Sequence, residues 1–109
     1  MTIKVKLVPN DVPPVTVHPN PFSVNNGNET ITWVPDADQS FTFEGLTGLP
    51  NPPFSNLDIQ STEITVQDAN GNGASGTYTY AVSVTYNNQI YTSGPNIIAG
   101  GGQPSIKNN

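Results

Sequence analysis

Four polar residues on one loop are the first candidates for a functional site: Asp36, Asp38, Gln39 and Ser40. Two carboxylates can share general acid and general base work when both face one substrate. Two loop aspartates that point apart are simply solvated, and their spacing does not separate the two cases. We therefore predict a binding site at these four residues and no catalytic residue among them.

A calcium-like pattern begins further along the chain. The segment Asp68-Ala69-Asn70-Gly71-Asn72-Gly73 carries oxygen donors at alternate positions, as the start of an EF-hand loop does. That motif needs a bidentate Glu at its twelfth position, which is Thr79 in this chain. A hairpin connection over 68–76, built from good turn formers, explains the segment without an ion.

Other metal and nucleophile chemistry lacks the residues that it requires. The chain has no cysteine and a single histidine, His18. One imidazole does not make a zinc or copper site without further nitrogen or sulfur ligands. Neither a nucleophile elbow nor a glycine loop ahead of a helix occurs in the sequence. We therefore predict no metal, no cofactor and no enzymatic activity.

Charge is sparse and mostly negative. Three Lys plus Arg residues stand against eight Asp plus Glu residues, which gives a formal net charge of -5. Binding to nucleic acid or to an anionic membrane surface requires clustered basic side chains. We expect neither partner, which leaves a protein or a glycan.

The first residues do not form an export signal. Lys alternates with aliphatic residues from Met1 to Leu7, whereas a signal peptide has a continuous apolar stretch. No apolar run approaches the ~20 residues of a membrane-spanning helix. The sequence as it stands predicts a cytoplasmic protein, and a secreted or periplasmic one if Met1 replaces a removed signal peptide.

The elements that must position these residues are short strands. Eleven prolines and ten glycines separate runs in which apolar and polar residues alternate, and no run has a helical period. This pattern predicts an all-β fold, an antiparallel or mixed β-sandwich of about seven to eight strands. The predicted strands are 3–7, 15–17, 30–34, 41–43, 63–67, 76–85, 89–92 and 96–99.

Several positions have more specific predictions. Lysines on the outer face of strand 3–7 suit an edge strand. Trp33 is in phase with Ile31 and should lie in the core. The Pro- and Gly-rich segment 45–57 should be a loop that Phe54 and Leu57 attach to the core.

The domain boundaries follow from composition. We predict that residues 1–99 form one β-sandwich domain and that the Gly- and Asn-rich residues 100–109 form a flexible C-terminal tail. Asn87-Asn88 is predicted to be the turn between two strands.

The order of these elements resembles the cupredoxin family, the plastocyanin-like copper β-sandwiches. Val15 to Trp33 resembles the family's short strand leading through a Gly turn to an "x-Ile-Thr-Trp" strand. Phe41-Thr42-Phe43 lies where the next family strand resumes. Gly76 to Val82 resembles the family's "Gly-Thr-Tyr-x-Tyr-x-Cys" run. The resemblance implies a cupredoxin-like Greek key, although an immunoglobulin-like sandwich has much the same alternation.

The copper ligands of that family are missing. A type 1 copper site uses two His nitrogens, a Cys thiolate and a weak axial Met. The resemblance places these ligands at Ser40 or Phe41, Val82, Thr85 and Ile90. None of these side chains can bind copper in that way, so a blue-copper electron carrier is excluded.

The sequence therefore favours a non-catalytic binding or structural module on a copper-free scaffold. Asn-rich loops on a rigid β-sandwich are a common way to present a recognition surface. Tyr86 and Tyr91, with nearby Asn and Gln, could form a polar-aromatic face for the same purpose. The alternatives are a small carbohydrate-binding or accessory domain of a larger secreted protein, and a hydrolase that uses loop carboxylates. The hydrolase hypothesis requires at least two of Asp36, Asp38, Asp58 and Asp68 to converge in one pocket.

Overall fold

The chain is all β-strand in the computed structural model, which describes residues 1–11, 13–37, 39–71, 75–93 and 104–109. No helix in these ranges is long and apolar enough to cross a membrane. The predicted fold class is confirmed, although the strands number eleven rather than seven or eight. They are β1 Thr2–Leu7, β2 Val15–His18, β3 Phe22–Val24, β4 Gly27–Pro35, β5 Thr42–Thr47, β6 Phe54–Ile59, β7 Ile64–Asn70, β8 Gly76–Thr79, β9 Ala81–Tyr86, β10 Gln89–Thr92 and β11 Ser105–Asn108.

The strands form three sheets. The large sheet has the order β2-β1-β4-β7-β6, and it is mixed because β1 runs parallel to β4. The β9 sheet has the order β10-β9-β5 and is antiparallel. The β11 sheet has the order β3-β11-β8, with β3 parallel to β11. Side-chain contacts join the large sheet to both smaller ones across a single core.

Strict alternation places the core residues as the sequence predicts. Ile3, Val5 and Leu7 are buried on β1, and the lysines between them are exposed. Ile31 and Trp33 are fully buried on β4. A side chain on a pleated strand reverses direction at each residue, so one apolar set per strand is enough to make an inner face.

Aromatic pairs connect the layers. The Trp33 Nε1 donates a hydrogen bond of 3.1 Å to the Tyr80 hydroxyl, and the two rings meet edge to face at 5.4 Å. Phe54 and Tyr78 form a second edge-to-face pair at 5.2 Å between the large sheet and the β11 sheet. Both geometries are favourable for aromatic quadrupoles. The predicted core position of Trp33 is confirmed.

The long run 76–85 is two strands rather than one. It changes sheets at Tyr80, whose backbone N–H donates to Pro104 O at 3.0 Å and so extends the β8–β11 ladder by one residue before β9 begins. Gly48 packs against this junction with φ 105°, and a Cβ at Gly48 would lie 2.9 Å from Thr79 O. The apolar alternation continues through the change, which is why the sequence shows no break.

The C-terminal residues do not form the flexible tail that their composition predicts. Ser105–Asn108 is the central strand of the β11 sheet, and Ile106 on it is fully buried. Pairing with a strand on each side stabilises this segment although it is short and polar. The predicted strand 96–99 and residues 100–103 lie outside the described residues.

Three further predictions need correction. β1 is not an edge strand, since it lies between β2 and β4. The predicted loop 45–57 is shorter, because β5 continues to Thr47 and β6 begins at Phe54. Phe54 is buried as predicted, whereas Leu57 lies within a register shift of β6 and is 46% exposed.

The two predicted turns have different outcomes. Asn87 and Asn88 join β9 to β10 with φ values of 51° and 62°, the positive pair that a tight two-residue hairpin requires. The segment 68–76 is not a hairpin connection. β7 continues to Asn70, and β7 and β8 belong to different sheets.

Candidate functional site

The predicted acidic loop begins where β4 ends. The Asp36 N–H donates to Val5 O at 2.7 Å, and the Asp36 Oδ1 accepts from the Ala37 N–H at 2.8 Å. The Gln39 N–H then donates to Asp36 O at 3.3 Å. Asp36 therefore shapes the turn with its own backbone and side chain. Asp38 lies outside the described residues.

Two of the predicted residues, Gln39 and Ser40, line a small cleft. The cleft has a volume of about 160 Å³, and we call it the loop cleft. The Gln39 Oε1 accepts a hydrogen bond of 2.9 Å from the Leu7 N–H, which attaches the loop to the end of β1. Asp36 is not among the lining residues. The described lining residues are Leu7, Pro9, Gln39, Ser40, Phe41 and Tyr86.

The loop cleft combines apolar and polar surface. Phe41 is buried beneath it and meets Phe43 edge to face at 5.4 Å, which holds the floor in place. Tyr86 is half-buried at the end of β9. The Gln39 carboxamide and the exposed Ser40 hydroxyl supply hydrogen-bonding groups above this floor. Among the described residues, the lining contains no Asp, Glu, His or Lys side chain.

The predicted polar-aromatic face around Tyr86 and Tyr91 is only partly formed. Both rings are half-buried and pack against the core. The Tyr91 hydroxyl donates to Gln89 Oε1 at 2.7 Å. Tyr86 contributes to the loop cleft, and Tyr91 does not.

The remaining aspartates of the hydrolase hypothesis are dispersed among the described residues. Asp58 is exposed and accepts a hydrogen bond of 2.8 Å from Gln60 Nε2. Asp68 is buried at the inner face of the large sheet. No two of Asp36, Asp58 and Asp68 line the loop cleft, and no two of them line the larger groove on the outer face of the large sheet.

A buried polar cluster at the end of β7 is a feature that the sequence analysis missed. The Asp68 Oδ1 accepts a hydrogen bond of 3.0 Å from Asn108 Nδ2 on β11. The Asn70 Nδ2 donates to Val24 O at 2.9 Å and to Asn25 O at 3.0 Å. The cluster thereby joins the large sheet to the β11 sheet. The sequence does contain a signal for this cluster. Asp68 and Asn70 follow Ile64 and Val66 at every second position, so the strand directs all four side chains to the same face.

Burial also changes the acidity of this cluster. The pKa of Asp68 is raised because desolvation disfavours its charged form, and the hydrogen bond from Asn108 offsets part of that effect. The Asp68 Oδ2 is buried and accepts no hydrogen bond from any described residue. Within the described ranges, no three His, Asp or Glu side chains are grouped as metal ligands.

The positions that the cupredoxin resemblance assigns to copper ligands do not meet at one point. Val82 is fully buried on the inner face of β9. Thr85 lies on the other face, where its hydroxyl donates to Glu44 Oε2 at 3.2 Å. Ile90 is opposite Thr85 in the β9–β10 ladder and is 64% exposed. Ser40 and Phe41 line the loop cleft.

A second and larger depression lies on the outer face of the large sheet. We call it the outer groove, and its volume is about 390 Å³. Sequence reasoning did not single it out as a site, because its residues come from three separate segments of the chain, 28–30, 55 and 67–69. Only the register of β4, β6 and β7 brings them together. Its outward-facing residues are Asn28, Thr30, Ser55, Gln67 and Ala69.

No protein-family model matches this chain, and no curated protein is significantly similar to it. The likeness to cupredoxins therefore depends on the order of the strands and on the residues quoted for it.

Proposed function

We propose that this chain is a non-catalytic binding module that recognises a protein or a glycan through the loop cleft. The scaffold that we propose is a copper-free, cupredoxin-like sandwich. The observation that carries the proposal is the lining of the cleft, in which Gln39 and Ser40 stand over an apolar floor formed by Phe41 and Tyr86. Binding sites commonly combine apolar walls with a few fixed polar groups.

The size of the loop cleft limits what it holds. Its volume of about 160 Å³ is well below the ~300–1,000 Å³ of pockets that enclose a whole small molecule. We expect it to accept one side chain or one sugar substituent of a larger partner. The rest of that partner would lie on the surrounding loop surface, and the buried group would act as its anchor.

The described residues of this loop are attached to β1 at two points. Its backbone bonds to Val5 at one end, and the Gln39 carboxamide bonds to Leu7 at the other. A preorganised loop loses little conformational entropy on binding, so more of the contact energy appears as affinity. Gln39 Nε2 and the Ser40 hydroxyl are the groups that we expect the partner to contact.

The test is to fill the cleft and compare with a matched control. Ser40→Phe places a ring in the cleft from an exposed position, and Ser23→Phe makes the same change at an exposed position on β3. Each immobilised variant is offered a printed glycan array and a proteome extract of the source cell. We expect a partner that both the wild-type protein and Ser23→Phe retain to be lost with Ser40→Phe. A partner that all three proteins retain equally contradicts the proposal.

A further inference from the structure

The outer groove is built by three neighbouring strands. In the ladder between β4 and β7, Thr30 lies opposite Gln67 and Asn28 lies opposite Ala69. Ser55 of β6 lies opposite Gln67 on the other side of β7. Residues opposite each other share a face, so these five side chains surround one patch of the outer face. Ala69 has only a methyl group, which leaves the patch concave.

An irregularity in β6 orders one wall of the groove. The register of β6 against β7 shifts between Ser55 and Asp58, and Asn56 within the shift has a φ of 55°. The Asn56 Nδ2 donates to Gln67 Oε1 at 3.1 Å. Because this bond occupies the oxygen of the Gln67 carboxamide, the Nε2 is presented as a donor.

The side chains that face the groove are uncharged. Glu29 and Asp68 border it, but each alternates with the outward residues and belongs to the inner-face set of its strand. Asp68 is 1% exposed and bonds to Asn108 across the core. The groove therefore offers hydroxyl and amide groups, with Ala69 as its one small apolar contact.

We propose that the outer groove is a second site, separate from the loop cleft, and that it binds a neutral oligosaccharide. Thr30 and Ser55 hydroxyls both donate and accept hydrogen bonds, as sugar hydroxyls do. The volume of about 390 Å³ lies within the range of ~300–1,000 Å³ found for ligand sites. The groove lacks the cations that a phosphate backbone requires and the apolar pocket that a peptide anchor requires.

The affinity of this site should be modest. None of the five outward residues is aromatic, so no ring stacks on a sugar face. Binding then depends on a few hydrogen bonds that are exchanged with water, each of which contributes little in net terms. We expect millimolar dissociation constants for a single chain and an extended ligand that follows the groove.

The experiment is an NMR titration of the ¹⁵N-labelled full chain. The probes are neutral hexasaccharides (maltohexaose, cellohexaose, mannohexaose and xylohexaose), with an anionic oligogalacturonate and a Gly-Ser hexapeptide as comparisons. We expect at least one neutral hexasaccharide at millimolar concentration to shift the amides of Thr30, Gln67 and Ala69. The two comparison probes should leave those amides unchanged.

Two variants on one strand test the contact itself. Thr30→Val removes a hydroxyl inside the groove, and Thr32→Val removes one on the same face of β4 but outside it. The dissociation constant should rise roughly three- to tenfold for Thr30→Val, the loss of about one hydrogen bond, and stay unchanged for Thr32→Val.

Three results would overturn the second site. They are a panel in which no neutral hexasaccharide shifts the groove amides, an equal response to the peptide or the anionic oligomer, and an equal effect of the two Val substitutions. The loop cleft is tested separately by Ser40→Phe, so either proposal can fail while the other stands.

Discussion

The two halves of β7 bury their inward side chains in opposite ways. In the first half, Ile64 and Val66 pack against hydrocarbon, and Ile64 lies opposite Trp33 in the ladder with β4. In the second half, Asp68 and Asn70 are equally buried but are held by hydrogen bonds. The strand geometry is the same throughout. The difference teaches that an inner face can also hold polar side chains when each makes at least one hydrogen bond, even though Asp68 Oδ2 and Asn70 Oδ1 accept none from the described residues.

Removing Trp33 on β4, which lies opposite Ile64 in the apolar half of β7, should have the largest effect on stability. Trp33→Ala removes a fully buried ring and its hydrogen bond to Tyr80, and should lower the free energy of unfolding by about 3–5 kcal/mol in urea titrations. Trp33→Phe keeps much of the packing and should cost less. An alanine variant as stable as the wild-type protein would contradict the prediction that Trp33 contributes strongly to the stability of the core.

Breaking the polar half at its most connected residue should have a smaller effect. Asn70→Ala removes one donor from Val24 O, which keeps the Asn109 N–H, and the Nδ2 donor from Asn25 O, and should cost about 1–3 kcal/mol by the same measurement. Asn26→Ala, at an exposed position nearby, is the control and should be close to neutral. Equal stability of the two variants would show that the cluster is not supported by Asn70.

The smallest expected effect is a pH dependence of stability that comes from Asp68 in the polar half of β7. Because the folded-state pKa of Asp68 is raised, the native state holds a proton that the unfolded state has already released. This contribution to stability is present below the unfolded-state pKa and is lost as the pH rises through the folded-state pKa. Asp68→Asn should abolish it.

Comparing the wild-type protein with Asp68→Asn separates the contribution of Asp68 from that of the other carboxylates, which both proteins share. The free energy of unfolding of the wild-type protein minus that of Asp68→Asn should fall as the pH rises from about 4, the ordinary value for Asp, and then become constant. Parallel pH profiles would mean that burial does not change the acidity of Asp68.

The same contrast explains what could be predicted from the sequence. Apolar alternation places Trp33 correctly in the core, whereas the buried polar residues Asp68 and Asn70 give no such signal and are assigned to a turn. The strand change at Tyr80 was invisible because its alternation is unbroken. β11 was missed because its stability comes from pairing with β3 and β8 rather than from its own composition.

The two candidate sites also differ in how much of each can be predicted from local sequence. The sequence predicts Gln39 and Ser40 as binding residues because a polar loop that directly follows a clearly predicted strand is a local signal. The rest of the loop cleft comes from β1 and β9, which are distant in sequence. The outer groove depends on the register of three strands, a property that is set by the whole sheet rather than by any local segment.

The position of β11 has a consequence for biosynthesis. It follows the other ten described strands along the chain, yet it is the middle strand of its sheet. While the ribosome has not yet delivered it, β3 and β8 have no strand between them and expose unpaired backbone edges. The nascent chain therefore passes through a stage at which it is prone to associate with its neighbours. A chain truncated before residue 105 would keep those two edges open permanently.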